Sequence, residues 1–173
     1  GRKIIEVLHS KKISIDNLYF VASSNSAGTT LKFGDKEIKV ENLEKFDFSK
    51  VNISFFSAGK TISEKYVPLA AKHSVVIDNS SFFRMDPDVP LIVPQVNKDH
   101  LKNVKKNIIA NPNCSTAQLV IVLKSLNDAF KIKRIVISTY QSTSGAGKKP
   151  MDELIDQTKS ILDNKNFEVK NFT

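Results

Sequence analysis

The stretch Asn107-Ile-Ile-Ala-Asn-Pro-Asn-Cys-Ser-Thr116 decides how this 173-residue chain is read. A short apolar run ends at Ala110 in an Asn/Pro turn, and helical periodicity follows from Ser115 to Phe130, with Leu119, Leu123 and Leu126 among its apolar positions. Strand, polar turn and helix is the unit from which parallel sheets are built. The same alternation extends toward both ends. Upstream, Ile4, Ile5, Val7 and Leu8 mark one face of a first helix closed by Lys11 and Lys12. Leu18–Ala22 reads as a strand, Ser23–Thr30 as a Ser/Gly/Asn loop, and Val51–Phe56 as a strand running into Ser57-Ala-Gly59. A helix is expected from about Ser63 to His73, then the buried β-branched strand Val75–Asp78 and a short strand Leu91–Val93. Downstream, Lys133–Gln141 reads as a longer strand and Met151–Leu162 as an amphipathic helix. The expected fold is α/β, a Rossmann-type, doubly wound parallel sheet whose strand ends carry the ligand-binding turns.

Composition narrows the function. The formal net charge is +8, but lysines are scattered and the densest cluster, Lys102–Lys106, holds only three, with no basic helix, helix-turn-helix or RRM signature. No nucleic-acid role is expected, and part of the charge can attract anionic substrates. No apolar run approaches the ~18 residues that would span a bilayer, and no signal peptide is visible. One cysteine excludes an intrachain disulfide and suits a reducing cytoplasm. His9, His73 and His100 lack ligand spacing, so no metal site is expected.

Four constellations carry chemistry. Cys114 falls where the helix begins, and the unpaired N–H groups and dipole of a helix N-terminus favour a thiolate and could polarise a carbonyl oxygen. Pro112 would fix the turn, with Ser115 or Thr116 as the cap. The competing reading is a small buried hydrophobe. In Ser138–Gly147 a strand runs into a Ser/Gly loop. There Gly145 and Gly147 permit close backbone approach and Gln141 offers an amide, although an ordinary strand–helix turn has the same appearance. Ser23-Ser-Asn-Ser-Ala-Gly28 stands where a dinucleotide fold meets the adenine ribose; it has no acidic residue for a 2′-hydroxyl, which leaves room for a 2′-phosphate. In Asp78–Arg84, the guanidinium of the only arginine between Arg2 and Arg134 suits phosphate or carboxylate; a solvated loop is the alternative.

These segments, together with Phe56-Ser-Ala-Gly59 and Val89-Pro-Leu-Ile-Val-Pro-Gln-Val-Asn97, occur in an order that resembles the aspartate-semialdehyde dehydrogenases over essentially the whole chain. The resemblance implies an NADP-dependent enzyme that reduces L-aspartyl-4-phosphate to L-aspartate 4-semialdehyde, in cytoplasmic synthesis of lysine (through diaminopimelate), threonine and methionine. It implies Cys114 as nucleophile through a thioacyl intermediate, Gln141 positioning substrate, and Arg84 and Asn113 holding phosphate. It also implies Asn25 and Ser26 at the adenosine 2′-phosphate, Ser144 and Gly145 near the nicotinamide, and Ser57, Ala58 and Gly59 along the cofactor. Gly1 would be the last residue of the first glycine-rich turn. Asn25 stands where the family usually has arginine, which leaves NADP against NAD open. A cofactor domain over 1–113, incomplete at its start, and the opening of an α+β catalytic and dimerisation domain over 114–173 are expected, in a homodimer or homotetramer. The family's histidine base and substrate-carboxylate arginine are not in this stretch, so the 173 residues alone are expected to turn over poorly. N-acetyl-glutamyl-phosphate reductase is the nearest rival, disfavoured by Asn111-Pro-Asn-Cys114. The Ser-Cys-Thr-Thr-Asn context of glyceraldehyde-3-phosphate dehydrogenase is absent. A noncatalytic Rossmann-like module is the rival of a different class.

Overall fold

The computed structural model describes residues 1–171, in two compact units, 1–131 and 132–173. In chain order the first unit contains α1 (Arg2–Ser10), β1 (Phe20–Ala22), β2 (Thr30–Phe33), β3 (Lys36–Asn42), β4 (Ile53–Phe56), α2 (Lys60–Ala70), β5 (Val75–Asp78), α3 (Pro94–Asn97), β6 (Ile108–Ala110) and α4 (Cys114–Phe130). Helix α5 (Lys148–Leu162) lies in the second.

The parallel ladder β4-β5-β6 pairs Ile53 with Val75, Phe56 with Asp78, and Asp78 with Ala110. Its strands are short, and β5 and β6 are largely β-branched. Helix α2 covers one face through Ser63, Tyr66, Val67 and Ala70, an i, i+3, i+4, i+7 set that is buried while the rest of the helix is not. These side chains meet Phe56, Val76, Phe83, Val89 and Ile108 in one core. In a second sheet β1 runs parallel to β3, with Phe20 opposite Val40, and β2 runs antiparallel to β3.

The β2–β3 hairpin is a feature that strand-run reading passes over. Its signal is present in Leu31-Lys-Phe-Gly-Asp-Lys-Glu-Ile-Lys-Val40, where apolar and polar residues alternate about a Gly-Asp turn. Gly34 adopts φ +59, and a Cβ there would come within 2.7 Å of the His9 ring, which meets Phe33 edge-on.

Several expectations are corrected. Leu91–Val93 is no strand: one bridge joins Leu91 to Ala110, and Asn97 then captures Val93 N–H and Leu91 C=O with its side chain, turning the chain into α3. Lys133–Gln141 forms no ladder among the described residues. Its consecutive Ile135, Val136 and Ile137 are all exposed, because β-propensity makes no strand without a partner edge. Helix α2 begins and ends three residues before the expected Ser63 and His73, since the positive φ of Gly59 starts it. Val7 faces outward, whereas Ile4, Ile5 and Leu8 are half-buried.

Asp78 ends β5 with no exposed surface, and three donors hold its carboxylate: Ser63 Oγ at 2.8 Å, Ser80 N–H at 3.0 Å and Ser80 Oγ at 2.7 Å. A buried carboxylate is tolerable only when so satisfied. In the second unit, Glu153 on α5 accepts Lys170 N–H at 2.7 Å, Asn171 N–H at 2.8 Å and the Gln157 amide at 2.8 Å. These donors, the Lys170 N–H foremost, hold its carboxyl below the usual carboxylate range.

Two outcomes are expected. Replacing Asp78 by Ala strands the Ser63 and Ser80 donors and lowers stability by about 2–3 kcal/mol, read as a shift of the urea midpoint at constant m; an unchanged midpoint would refute the role given to it. Because the folded Glu153 carboxyl titrates below its unfolded value, the tether is intact above the unfolded pKa and is lost as pH falls through the folded one. Lys170 and Asn171 amides then lose exchange protection in acid, as they do at neutral pH in Glu153→Gln.

Candidate active site

The C-terminal edge of the β4-β5-β6 ladder gathers three turns: Ser57–Gly59 after β4, Asn79–Arg84 after β5, and Asn111–Asn113 after β6. Main-chain bonds knit them together. Asn79 N–H donates to Phe56 C=O at 2.8 Å, and Asn111 N–H to Asp78 C=O at 2.8 Å. The Asn111 amide reaches Asn79 Oδ1 at 2.6 Å. Arg84 returns over this edge, its Nε donating to Asn111 C=O at 2.9 Å and one terminal nitrogen to Asn79 C=O at 3.2 Å. A guanidinium has five N–H donors; with two engaged, three remain for an anion, on a fork already oriented by the backbone it clamps.

Cys114 is the first residue of the 17-residue helix α4, and it is exposed. The expected cap is corrected: Asn113, not Ser115 or Thr116, caps the helix, accepting Ser115 N–H at 2.9 Å and Ser115 Oγ at 2.6 Å on its Oδ1. The Cys114 sulfur lies 3.9 Å from the same oxygen. Committing Oδ1 to the cap leaves the Asn113 amide N–H groups without a partner among the described residues. Pro112 is buried and fixes the turn. Thus Cys114, Asn113 and Arg84 belong to one edge of one sheet, Arg84 contacting a carbonyl three residues before the sulfur. The exposed thiol departs from the reading of Cys114 as a buried small hydrophobe.

The dinucleotide residues fall at strand ends and helix starts. Gly59 opens α2 at φ +90, and nothing lies within 4 Å of a Cβ placed on it, so it leaves backbone open to close approach; Gly1 precedes α1. Asn25 and Ser26 sit in the turn after β1, where Ser26 N–H and Ala27 N–H both donate to Ser23 C=O at 3.0 Å.

Gln141, Ser144 and Gly145 belong to the second unit. Ser142 caps the turn Thr143–Ala146, and its hydroxyl meets that of Ser144 at 2.7 Å. The close approach expected at Gly145 is made by this chain itself: the Gln141 amide nitrogen lies 2.2 Å from where a Cβ would stand, so only glycine lets that side chain fold over the turn. Residue-by-residue reading overlooked Asn79, Asn111 and Asp78 as the framework of the edge. The available signal was a carboxylate closing an apolar run, Val75-Val-Ile-Asp78, which cannot be buried unpaired. Among the described residues no group of His, Cys, Asp or Glu is gathered as a metal site.

Known proteins resemble this chain in sequence and fold. The model "Semialdehyde dehydrogenase, NAD binding domain" matches residues 1–104, and "Semialdehyde dehydrogenase, dimerisation domain" matches residues 123–173. The aspartate-semialdehyde dehydrogenase of Rickettsia bellii is 50% identical over 92% of this chain and 48% of its own length. Aspartate-semialdehyde dehydrogenase 2 of Vibrio cholerae is 46% identical over 100% of this chain and 52% of its own. The crystal structure of the Vibrio cholerae aspartate semialdehyde dehydrogenase II complexed with ASA superposes with a TM-score of 0.93 at 46% identity, covering 100% of this chain and 52% of that one. The Candida albicans enzyme with NADP gives a TM-score of 0.60 at 29% identity over 76% of this chain and 44% of that one. The chain spans about half the length of the curated relatives it matches. With both domain models matched in order along its length, the chain belongs to the semialdehyde dehydrogenase family.

Proposed function

We propose that this chain carries the cofactor-binding and nucleophile-bearing part of an NADP-dependent aspartate-semialdehyde dehydrogenase, reducing L-aspartyl-4-phosphate to L-aspartate 4-semialdehyde. The observation that carries the reading is Cys114, exposed as the first residue of α4 and set by the Asn113 cap on the same strand edge as Arg84. The names of the relatives support the substrate assignment.

The Cys114 thiolate attacks the acyl carbon of the acyl phosphate. A carbon–sulfur bond forms, the carbon–oxygen bond to phosphate breaks, and inorganic phosphate leaves with the electron pair. Backbone N–H groups at the start of α4 stabilise the oxyanion that develops. Three unengaged N–H donors of Arg84 and the amide of Asn113 bind the departing phosphate. A nicotinamide held at this site would supply the hydride that reduces the resulting thioacyl group. Loss of the thiolate from that carbon then frees the aldehyde. Gln141 orients the substrate's acyl group. Ser57, Ala58 and Gly59 would hold the length of the cofactor, Gly1 its pyrophosphate, Asn25 and Ser26 its adenosine end, and Ser144 and Gly145 its nicotinamide. The open backbone at Gly59 suits a dinucleotide. In this reading the cofactor part runs over 1–113 and the catalytic part starts at Cys114, where α4 begins. Two copies pair through the later part, whose Ile135, Val136, Tyr140, Leu154 and Ile155 are exposed, and the enzyme works in the cytoplasm.

In the natural polypeptide that carries this chain, Cys114→Ser is expected to lower kcat by at least about a thousandfold while cofactor affinity stays unchanged; activity within tenfold of the parent would remove Cys114 from the nucleophile role. Arg84→Lys, which keeps charge and loses the fork, is expected to raise KM for the acyl phosphate by about tenfold or more. Rapid alkylation of Cys114 by iodoacetamide at neutral pH, suppressed by the acyl phosphate, separates this reading from a noncatalytic module.

A further inference from the structure

We propose that Asn111 is a positioning residue for the phosphate site: its side-chain amide, bonded to Asn79, fixes the spacing of the two carbonyls that aim the Arg84 guanidinium. The inference rests on the reading of Arg84 as a phosphate-binding residue and assigns what gives that arginine its direction. Arg84 Nε–H and the Nη2 that flanks it form one edge of the planar fork. Both are spent on main chain, at 2.9 Å to Asn111 C=O and 3.2 Å to Asn79 C=O. The end edge, between Nη1 and Nη2, keeps donors for two oxygens of one anion. Two carbonyl positions therefore set the plane of the guanidinium and the direction in which that end edge looks.

The two carbonyls lie just past the end of the β5-β6 ladder. Rungs run from Val76 N–H to Asn107 C=O and from Asn111 N–H to Asp78 C=O, each at 2.8 Å, so the register makes Ser80 N–H the next donor to Asn111 C=O. That rung is replaced. The buried Asp78 carboxylate takes Ser80 N–H at 3.0 Å, and Arg84 Nε occupies the carbonyl so released. Beyond the last main-chain rung, the turns after β5 and β6 are joined side chain to side chain, by Asn111 Nδ2 donating to Asn79 Oδ1 at 2.6 Å across 32 positions. The carboxamide pair thus continues the ladder where the main chain leaves it, next to the two carbonyls that Arg84 grips.

The orientation of this pair follows from its surroundings. Asn111 Nδ2 also donates to Pro112 C=O at 3.4 Å, and a carbonyl only accepts, so the amide nitrogen faces both partners and Asn79 presents its oxygen. Asn111 is held by its N–H on Asp78, by its C=O under Arg84 and by its Nδ2 on Asn79 and Pro112. Without the amide, the carbonyl of residue 111 can shift against that of Asn79, and the guanidinium follows. Its end edge then loses the preset direction that keeps the entropy cost of binding an anion low. A role confined to stability would leave the phosphate affinity of the folded protein where it was.

In the natural polypeptide that carries this chain, Asn111→Ala is expected to raise both KM for the acyl phosphate and the inhibition constant of inorganic phosphate by about fivefold, with kcat lowered by less than about threefold. In an Arg84→Lys background the same substitution should change both constants by less than about twofold, because a lysine has no fork to aim. Parent values of both constants in Asn111→Ala, or the same fivefold loss in both backgrounds, would overturn the inference and leave Arg84 as the phosphate residue. Where Asn111→Ala does not fold, Asn79→Ala breaks the same bond from its other end, and the same comparison of the inorganic-phosphate constant decides. Parent values of both constants in Arg84→Lys alone would overturn the phosphate reading of Arg84 and this inference together.

Discussion

The fully buried carboxylate of Asp78 is the constraint around which the first unit is arranged. It closes β5 in the middle of the parallel ladder, where an unpaired charge would cost several kcal/mol. Its three donors come from two places, Ser63 on α2 and Ser80 in the following turn. Satisfying one side chain therefore docks the helix on the sheet and dictates the path by which the chain leaves it. Phe83 then drops into the core and Arg84 swings back over the strand ends.

Arg84 joins structure to chemistry. Its guanidinium ties the turns after β5 and β6 together through backbone carbonyls, and the same bonds orient its remaining N–H groups. A charged side chain held this way surrenders less rotamer entropy when it meets an anion than a free surface arginine would. The neighbouring Asn113 has a comparable division of labour: its oxygen caps α4, so the sulfur of Cys114 sits at the helix terminus by construction, while its amide N–H groups stay unused.

The two units differ in how far they bury their apolar residues. The first has a continuous core from Phe56 to Ala110, but α4 has no fully buried residue, and Ile121, Val122, Leu126 and Phe130 are exposed. In the second unit no described residue is fully buried, and α5 exposes Leu154, Ile155 and Ile161. Apolar surface of that extent asks for cover, in keeping with a region that matches a dimerisation domain.

Periodicity and turn chemistry by themselves determined the order and type of most elements, because buried strands and amphipathic helices leave patterns that local residues carry. The run Val75–Asp78, the helix from Cys114 to Phe130 and the placement of a lone cysteine between strand and helix were all legible in that way. The resemblance of motifs in order then indicated the family. What local pattern could not decide is whatever depends on a partner distant in the chain. Lys133–Gln141 has strand propensity but no edge to pair with among the described residues, and Leu91–Val93 lost its ladder to the side chain of Asn97. That Asn113 caps α4, that Gln141 occupies the space above Gly145, and that Arg84 grips Asn111 across 27 positions are likewise decided by tertiary structure. Each is a contest between neighbours for one donor or one volume, and its winner is known only once the chain has brought the competitors together.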